Sequence, residues 1–142
     1  MRRFPNYPDL IAVAALICAG VSAGMAQGAV PVRLTGGDWV VESVGGQSAD
    51  SDRHARIAFA ADGRVTGSGG CNRLMGRAEI SAESITFGTI ATTRMACAPN
   101  VMNQERKLLD ALAATRSYRI ADAVLTLHDA SGAEMVRLTR KS

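Results

Sequence analysis

An α+β domain, mainly β, in which an antiparallel sheet curls around or against a single helix, is the fold class this sequence predicts. Three observations lead to it. Short segments of alternating apolar and polar residues, bounded by Gly, Asp and Asn turns, run through most of the chain. One stretch after Ala98 has helical spacing, and the links are too short for repeated parallel crossovers. With 142 residues, the chain is the size of one domain.

The opening residues read as a leader rather than as part of that domain. Arg2 and Arg3 precede an uncharged run from Leu10 to Ala26 that is rich in Ala, Leu, Ile and Val and ends in small residues, the pattern of a secretory signal peptide. Gly24-Met25-Ala26 predicts cleavage after Ala26, giving a signal peptide over 1–26 and one domain over 27–142; Val21-Ser22-Ala23 is a second cleavage point. The competing reading is a retained membrane anchor, because no charge falls between Asp9 and Arg33. Gln27 and Pro31 spoil the end of that span. Cys18 follows Ile17, where lipid attachment needs a small residue, so it reads as part of the leader. The expected location is periplasmic or secreted, with membrane contact only if the leader is kept.

Trp39-Val40-Val41-Glu42-Ser43-Val44 has strand composition and stops at Gly45-Gly46. Gln47 to His54 is a polar loop. Arg56-Ile57-Ala58-Phe59-Ala60 and Arg64-Val65-Thr66-Gly67 flank Asp62-Gly63, a strong hairpin signal. Arg77–Ser81 and Ser84–Gly88 form a second hairpin, with Ile80, Ile85 and Phe87 on the core face. Pro99-Asn100 opens the helix, where Val101, Leu108 and Leu112, with Met102 and Leu109, repeat at helical intervals; Asn100 is its expected cap. Ser117–Ile120, Ala123–Leu127 and Glu134–Leu138 complete the strands, turning at Asp122 and Asp129–Gly132.

Removal of the leader leaves Cys71 and Cys97, which permit one intramolecular pairing in an oxidising compartment. Closing a loop of that length contributes roughly 3.5 kcal/mol by the chain-entropy model. Two free thiols are the alternative if the compartment is reducing. Net charge is +3, and the cations are scattered among Asp and Glu. That pattern, with few aromatic residues, argues against nucleic acid as a partner.

Gly70-Cys71-Asn72 follows the glycine-rich Gly67-Ser68-Gly69. It is succeeded by Thr92-Thr93-Arg94-Met95-Ala96-Cys97, and then by a helix in which Glu105, Leu108 and Leu112 precede a tyrosine. Trp39 in the first strand, Phe59 before a glycine turn, and Leu125-Thr126-Leu127 fit the same order. From Leu34 to Leu138 the chain resembles the META domain, the HslJ-like family that includes a heat-inducible envelope lipoprotein. The resemblance implies a small antiparallel β-barrel-like fold with one helix. It also implies a noncatalytic, stress-related role in the cell envelope, without enzyme activity or cofactor. The fold is similar to that of a secretion-system pilotin with a lipid or peptide in its cleft, so by analogy the expected partner is an envelope protein, a peptide or an apolar ligand. A purely structural or interaction module is the alternative.

The motif residues Trp39, Gly70, Asn72, Thr93, Arg94 and Met95 read as structural. The glycines allow positive φ or close backbone approach, Asn72 ties a turn, and the crosslink pins the second loop to the first. A binding site made by the same loops is the competing reading.

Catalytic readings find little support. His54 lies in a polar loop and His128 at a strand end, neither placed by sequence beside a cysteine. Paired zinc-ligand spacings are absent. Thr66-Gly67-Ser68-Gly69-Gly70 lacks the first glycine and the following helix of a nucleophile elbow. No Lys-Ser or Lys-Thr follows the glycines, as a phosphate loop requires. Glu79 and Glu83 flank a hairpin on its outer face. Catalytic, metal and cofactor sites are accordingly expected to be absent, and an unrecognised hydrolase or thiol enzyme is the remote third reading.

Overall fold

The computed structural model describes residues 30–50 and 54–141. The leader, Cys18 and both cleavage points lie outside the described residues. Ten strands and one helix follow in order: β1 (Asp38–Val44), β2 (Gln47–Ser48), β3 (Arg56–Phe59), β4 (Arg64–Ser68), β5 (Arg73–Ile80), β6 (Ile85–Phe87), β7 (Ala91–Thr92), α1 (Pro99–Ala114), β8 (Thr115–Ala121), β9 (Val124–Asp129) and β10 (Glu134–Lys141). The strands lie in the order β6-β5-β4-β3-β1-β10-β9-β8, with β2 on β1 and β7 on β5, and every pairing is antiparallel.

The sheet curls until its ends meet, giving a nearly closed, barrel-like body. At the seam a single bridge joins Ser84 to Ser117, and the Tyr118 amide donates to the Glu83 carbonyl at 3.1 Å. The Tyr118 hydroxyl lies 3.1 Å from the Ser81 carbonyl and 3.0 Å from that of Ala82.

Alternation explains what faces inward. Trp39 and Val41 of β1 are buried, and a register shift between Val41 and Ser43 then turns Val44 inward opposite Val136. Without that bulge Ser43 would occupy the inner position. The Asp62-Gly63 hairpin forms as expected, pairing Phe59 with Val65 and Ile57 with Gly67. Helix α1 buries Val101, Glu105, Leu108, Ala111 and Leu112 against β1, β6, β9 and β10. Each fully buried leucine contributes about 1.5–3 kcal/mol relative to exposure. Ile85 and Phe87 are buried, whereas Ile80 packs only partly against the core.

Several boundaries differ from the sequence expectation. Strand β5 starts at Arg73 rather than Arg77, because the glycine-rich turn ends sooner than its composition suggests. Strands β2 and β7, two residues each, fall in segments read as loops. Asn100 is not the helix cap: Ala98 occupies that position without a side-chain hydrogen bond, and Pro99, which needs no amide partner, starts the helix. The other end is closed by Thr115, whose hydroxyl donates to the Ala111 carbonyl at 2.8 Å.

Candidate functional site

The site grows from the turn between β4 and β5. Gly70 takes φ of +105°, a conformation that side chains disfavour. At Gly69 an added Cβ would lie 2.5 Å from the Glu105 side chain. The turn therefore comes down directly onto helix α1.

Glu105 is 4% exposed and Asn72 3%. One carboxylate oxygen accepts the Asn72 backbone amide at 2.8 Å and the Cys71 amide at 3.3 Å; the other accepts the Asn72 side-chain amide at 2.7 Å. Successive backbone N–H groups thus cradle the anion, as in a nest, and the buried charge is held by charge-assisted hydrogen bonds rather than by a cation. The Asn72 carbonyl oxygen faces the other way, accepting the Thr93 hydroxyl at 3.0 Å and the Met95 amide at 2.7 Å. Thr93 also accepts the Arg73 amide at 3.0 Å through its hydroxyl. The Cys71–Cys97 disulfide, with Cα atoms 6.2 Å apart, closes the other side.

Helix, glycine turn and the 92–97 segment are thereby fastened at three points. Met95 remains 59% exposed, and the Arg94 side chain is exposed without an ion pair or hydrogen bond among the described residues. Beside them a groove of about 370 Å³ is lined chiefly by Thr93, Arg94, Met95, Met102, Arg106 and Leu109.

Of the residues singled out in the sequence, Gly70, Cys71, Asn72, Thr93, Met95 and Cys97 come together here. Trp39 does not. It lies in the core, donates its indole N–H to the Leu34 carbonyl at 2.9 Å, and carries the Arg140 guanidinium 4.5 Å above its ring. Asn72 does not close its own turn through its side chain, as expected of a turn asparagine, but reaches across to the second loop. Glu105 is the residue whose role the sequence left unassigned. Its spacing carried the signal, four after Val101 and three before Leu108, on the buried stripe of the helix.

The arrangement ties both motif loops to the helix. Both site cysteines are oxidised, so neither is a thiol nucleophile. His54 is exposed, and His128 is engaged with Thr126 at 2.9 Å and the Gly132 carbonyl at 3.2 Å. Among the described residues no group of three or more His, Cys, Asp or Glu side chains is placed to hold a metal ion.

The META domain model matches residues 32–142, the whole of the barrel with its motif loops. The chain belongs to the META domain family. A protein solved by NMR has 27% identity to this META chain at a TM-score of 0.64, over 78% of this chain and 94% of that one. A second NMR structure, of a protein from Burkholderia xenovorans, is 22% identical with a TM-score of 0.61, covering 98% and 99%. A crystal structure of a duf4847 family protein from Bacteroides vulgatus shares 15% identity at a TM-score of 0.58, covering 76% and 94%. The last two show likeness of fold alone. No curated protein matches the chain. No helix among the described residues is long and apolar enough to cross a membrane.

Proposed function

We propose that this META domain is a noncatalytic, exported module of the cell envelope that acts through its surface on another envelope component. The observation that carries the reading is a closed core beneath a rigid exposed loop. Trp39, Leu34, Ile57, Leu74, Leu108, Leu112, Leu125 and Leu138 are each less than 2% exposed, and the five surface grooves are lined by none of them. The grooves lie at the surface, one of about 820 Å³ being bordered by Val30, Ala78 and Phe87 of the core, so a partner is placed at the surface rather than inside the barrel. The motif network instead spends its hydrogen bonds on holding Arg94 and Met95 in place at the surface. The disulfide and the leader-like N-terminus support placement outside the cytosol, and the stress-related role rests on the family resemblance.

Native mass spectrometry of the chain purified from its own compartment, combined with photo-crosslinking, tests this. The expected mass is that of the oxidised polypeptide without its leader and without a retained small molecule. A photo-crosslinker at position 95 should yield a defined adduct in cells, and the same group at position 137 should not. A stoichiometric lipid or peptide retained in the purified protein would overturn the surface reading in favour of cleft binding.

A further inference from the structure

The sheet collects cations that are scattered along the chain. On β3, β4 and β5 the buried residues Ile57, Phe59, Val65, Leu74 and Ala78 point inward, so the alternate positions share the outer face. Pairing then sets Arg56 and Arg73 on either side of Ser68, and places Arg64 directly opposite Arg77. Between the two rows lie Ala58, Thr66 and the 58% exposed Met75. Like charges directly opposite on a sheet are destabilising. Here Asp62 stands against that pair, and Glu79 follows Arg77 on the same face of β5. Asp62 meets Arg64 at 3.4 Å and accepts the Arg77 guanidinium on its backbone carbonyl at 3.3 Å.

Arg73 has no side-chain hydrogen bond or ion pair among the described residues. Its backbone joins that of Thr93, while Arg94 and Met95 stand at the groove beside helix α1. Arg56, which meets Asp38 at 3.5 Å, Arg64, Arg73 and Arg77 together outnumber the nearby Asp38, Asp62 and Glu79. Three large apolar side chains stand well out into solvent among the described residues, and Met75, on this face, is one of them. A groove of about 420 Å³ opens between Arg64, Arg77, Thr66 and Met75.

We infer that this outer face is a docking surface for an anionic lipid surface, with the arginines on headgroup phosphates and Met75 at the acyl boundary. Register brings four guanidinium groups to one side of the barrel, and guanidinium geometry suits phosphate oxygens. Unbranched, flexible methionine adapts to an irregular apolar layer. Few aromatic residues are available for base stacking, which disfavours a nucleic acid on the same face. The inference rests on the proposed surface role, gives it one partner, and needs no retained leader.

Co-sedimentation of the leaderless, oxidised chain with vesicles provides the test. Binding is expected to phosphatidylglycerol vesicles and not to phosphatidylcholine vesicles, and it should weaken steeply as salt rises. Arg73→Gln with Arg77→Gln should reduce affinity about thirtyfold, near fivefold for each arginine close to an anionic surface. Met75→Ser should weaken it further. Arg119→Gln with Arg137→Gln, off this face, should leave it unchanged. These exposed substitutions are checked for folding by the fluorescence of Trp39. Equal binding to both vesicle types, equal loss in the two double variants, or binding of inorganic phosphate or an acidic peptide without vesicle binding would each overturn the inference. A position-95 adduct that forms with a protein while vesicles stay unbound would remove the lipid surface and leave the interaction-module reading standing.

Discussion

Glu105 and Asn72 bind each other twice, through the asparagine's backbone amide at 2.8 Å and its side-chain amide at 2.7 Å, and both residues are buried. The helix thereby holds the glycine turn by its polar centre rather than by apolar packing. Asn72 spends its remaining oxygen on Thr93 and Met95, so a single residue distributes the helix's hold over both motif loops.

Glu105→Gln tests that hold while changing almost no volume. The amide replaces one accepting oxygen with a donor, and that donor must face N–H groups whichever way it is flipped. Leaving buried donors unpaired costs about 1–3 kcal/mol. Chemical denaturation should show a loss of this size, and amide hydrogen exchange at Cys71, Asn72 and Met95 should quicken more than in β9. A variant as stable as the parent would mean that the carboxylate is dispensable to the turn.

Replacing Cys71 and Cys97 together by serine opens the loop that the disulfide closes. The chain-entropy model assigns about 3.5 kcal/mol to a loop of that length, a large share of the stability of a domain this size. Because Glu105 and Asn72 still fasten the same loops, the variant should remain folded at low temperature and unfold at lower denaturant. The parent in reductant should fall to the same midpoint. A double variant matching the oxidised parent would show that the hydrogen-bond network alone holds the loops.

The barrel seam is tested by Tyr118→Phe. The hydroxyl reaches two carbonyls, of Ser81 and Ala82, so its loss at neutral pH should cost about 1 kcal/mol. Burial, with a smaller contribution from Glu83, raises the Tyr118 pKa above the ordinary tyrosine value. The unfolded chain therefore releases this proton first. Stability from the buried neutral hydroxyl is fully present below pH about 10 and declines as pH rises toward the folded value. Denaturation curves at about pH 8 and pH 11 should show the gap between parent and variant shrinking at the higher pH. A constant gap would remove Tyr118 from the alkaline response.

What the sequence displayed and what it concealed divide along physical lines. Strands with clean alternation and turn signals, such as Ile57 and Phe59 before Asp62-Gly63, were legible because side-chain period and turn chemistry are local. The stripe of Val101, Leu108 and Leu112 was legible for the same reason. β2 and β7 were not, since two-residue strands have no period and exist only through their pairing with β1 and β5. The first half of β5 was hidden by the glycines before it and by Gly76 within it, which weaken any strand signal. Asn72 carried a turn signal, and its partner carried the signal of a helical surface carboxylate. Their meeting, 33 residues apart, depends on how the helix lies against the sheet, which no local pattern encodes. The same holds for the outer arginines, which become neighbours only through register.

Arg140 joins the segment before β1 to the core through Trp39, the only tryptophan of the chain. Its guanidinium carbon stands 4.5 Å from the ring centre, while its N–H groups donate to the Thr35 carbonyl at 3.0 Å, to that of Gly36 at 3.3 Å, and to that of Arg33. A cation over an indole contributes about 0.5–1 kcal/mol near the surface, and hydrogen bonds from a charged group about 1.5–3 kcal/mol. Partial exposure of Arg140 lowers the sum, so Arg140→Ala should cost about 1–3 kcal/mol. Arg140→Lys should restore less than half, because an ammonium lacks the fork that spans three carbonyls. Trp39 fluorescence supplies a local reading: in Arg140→Ala the 33–36 segment loses its tether, and a neutral quencher should reach the indole more readily. If Lys restores the parent's stability and quenching in full, charge over the ring is sufficient, and the forked contacts to residues 33–36 add nothing to the fold.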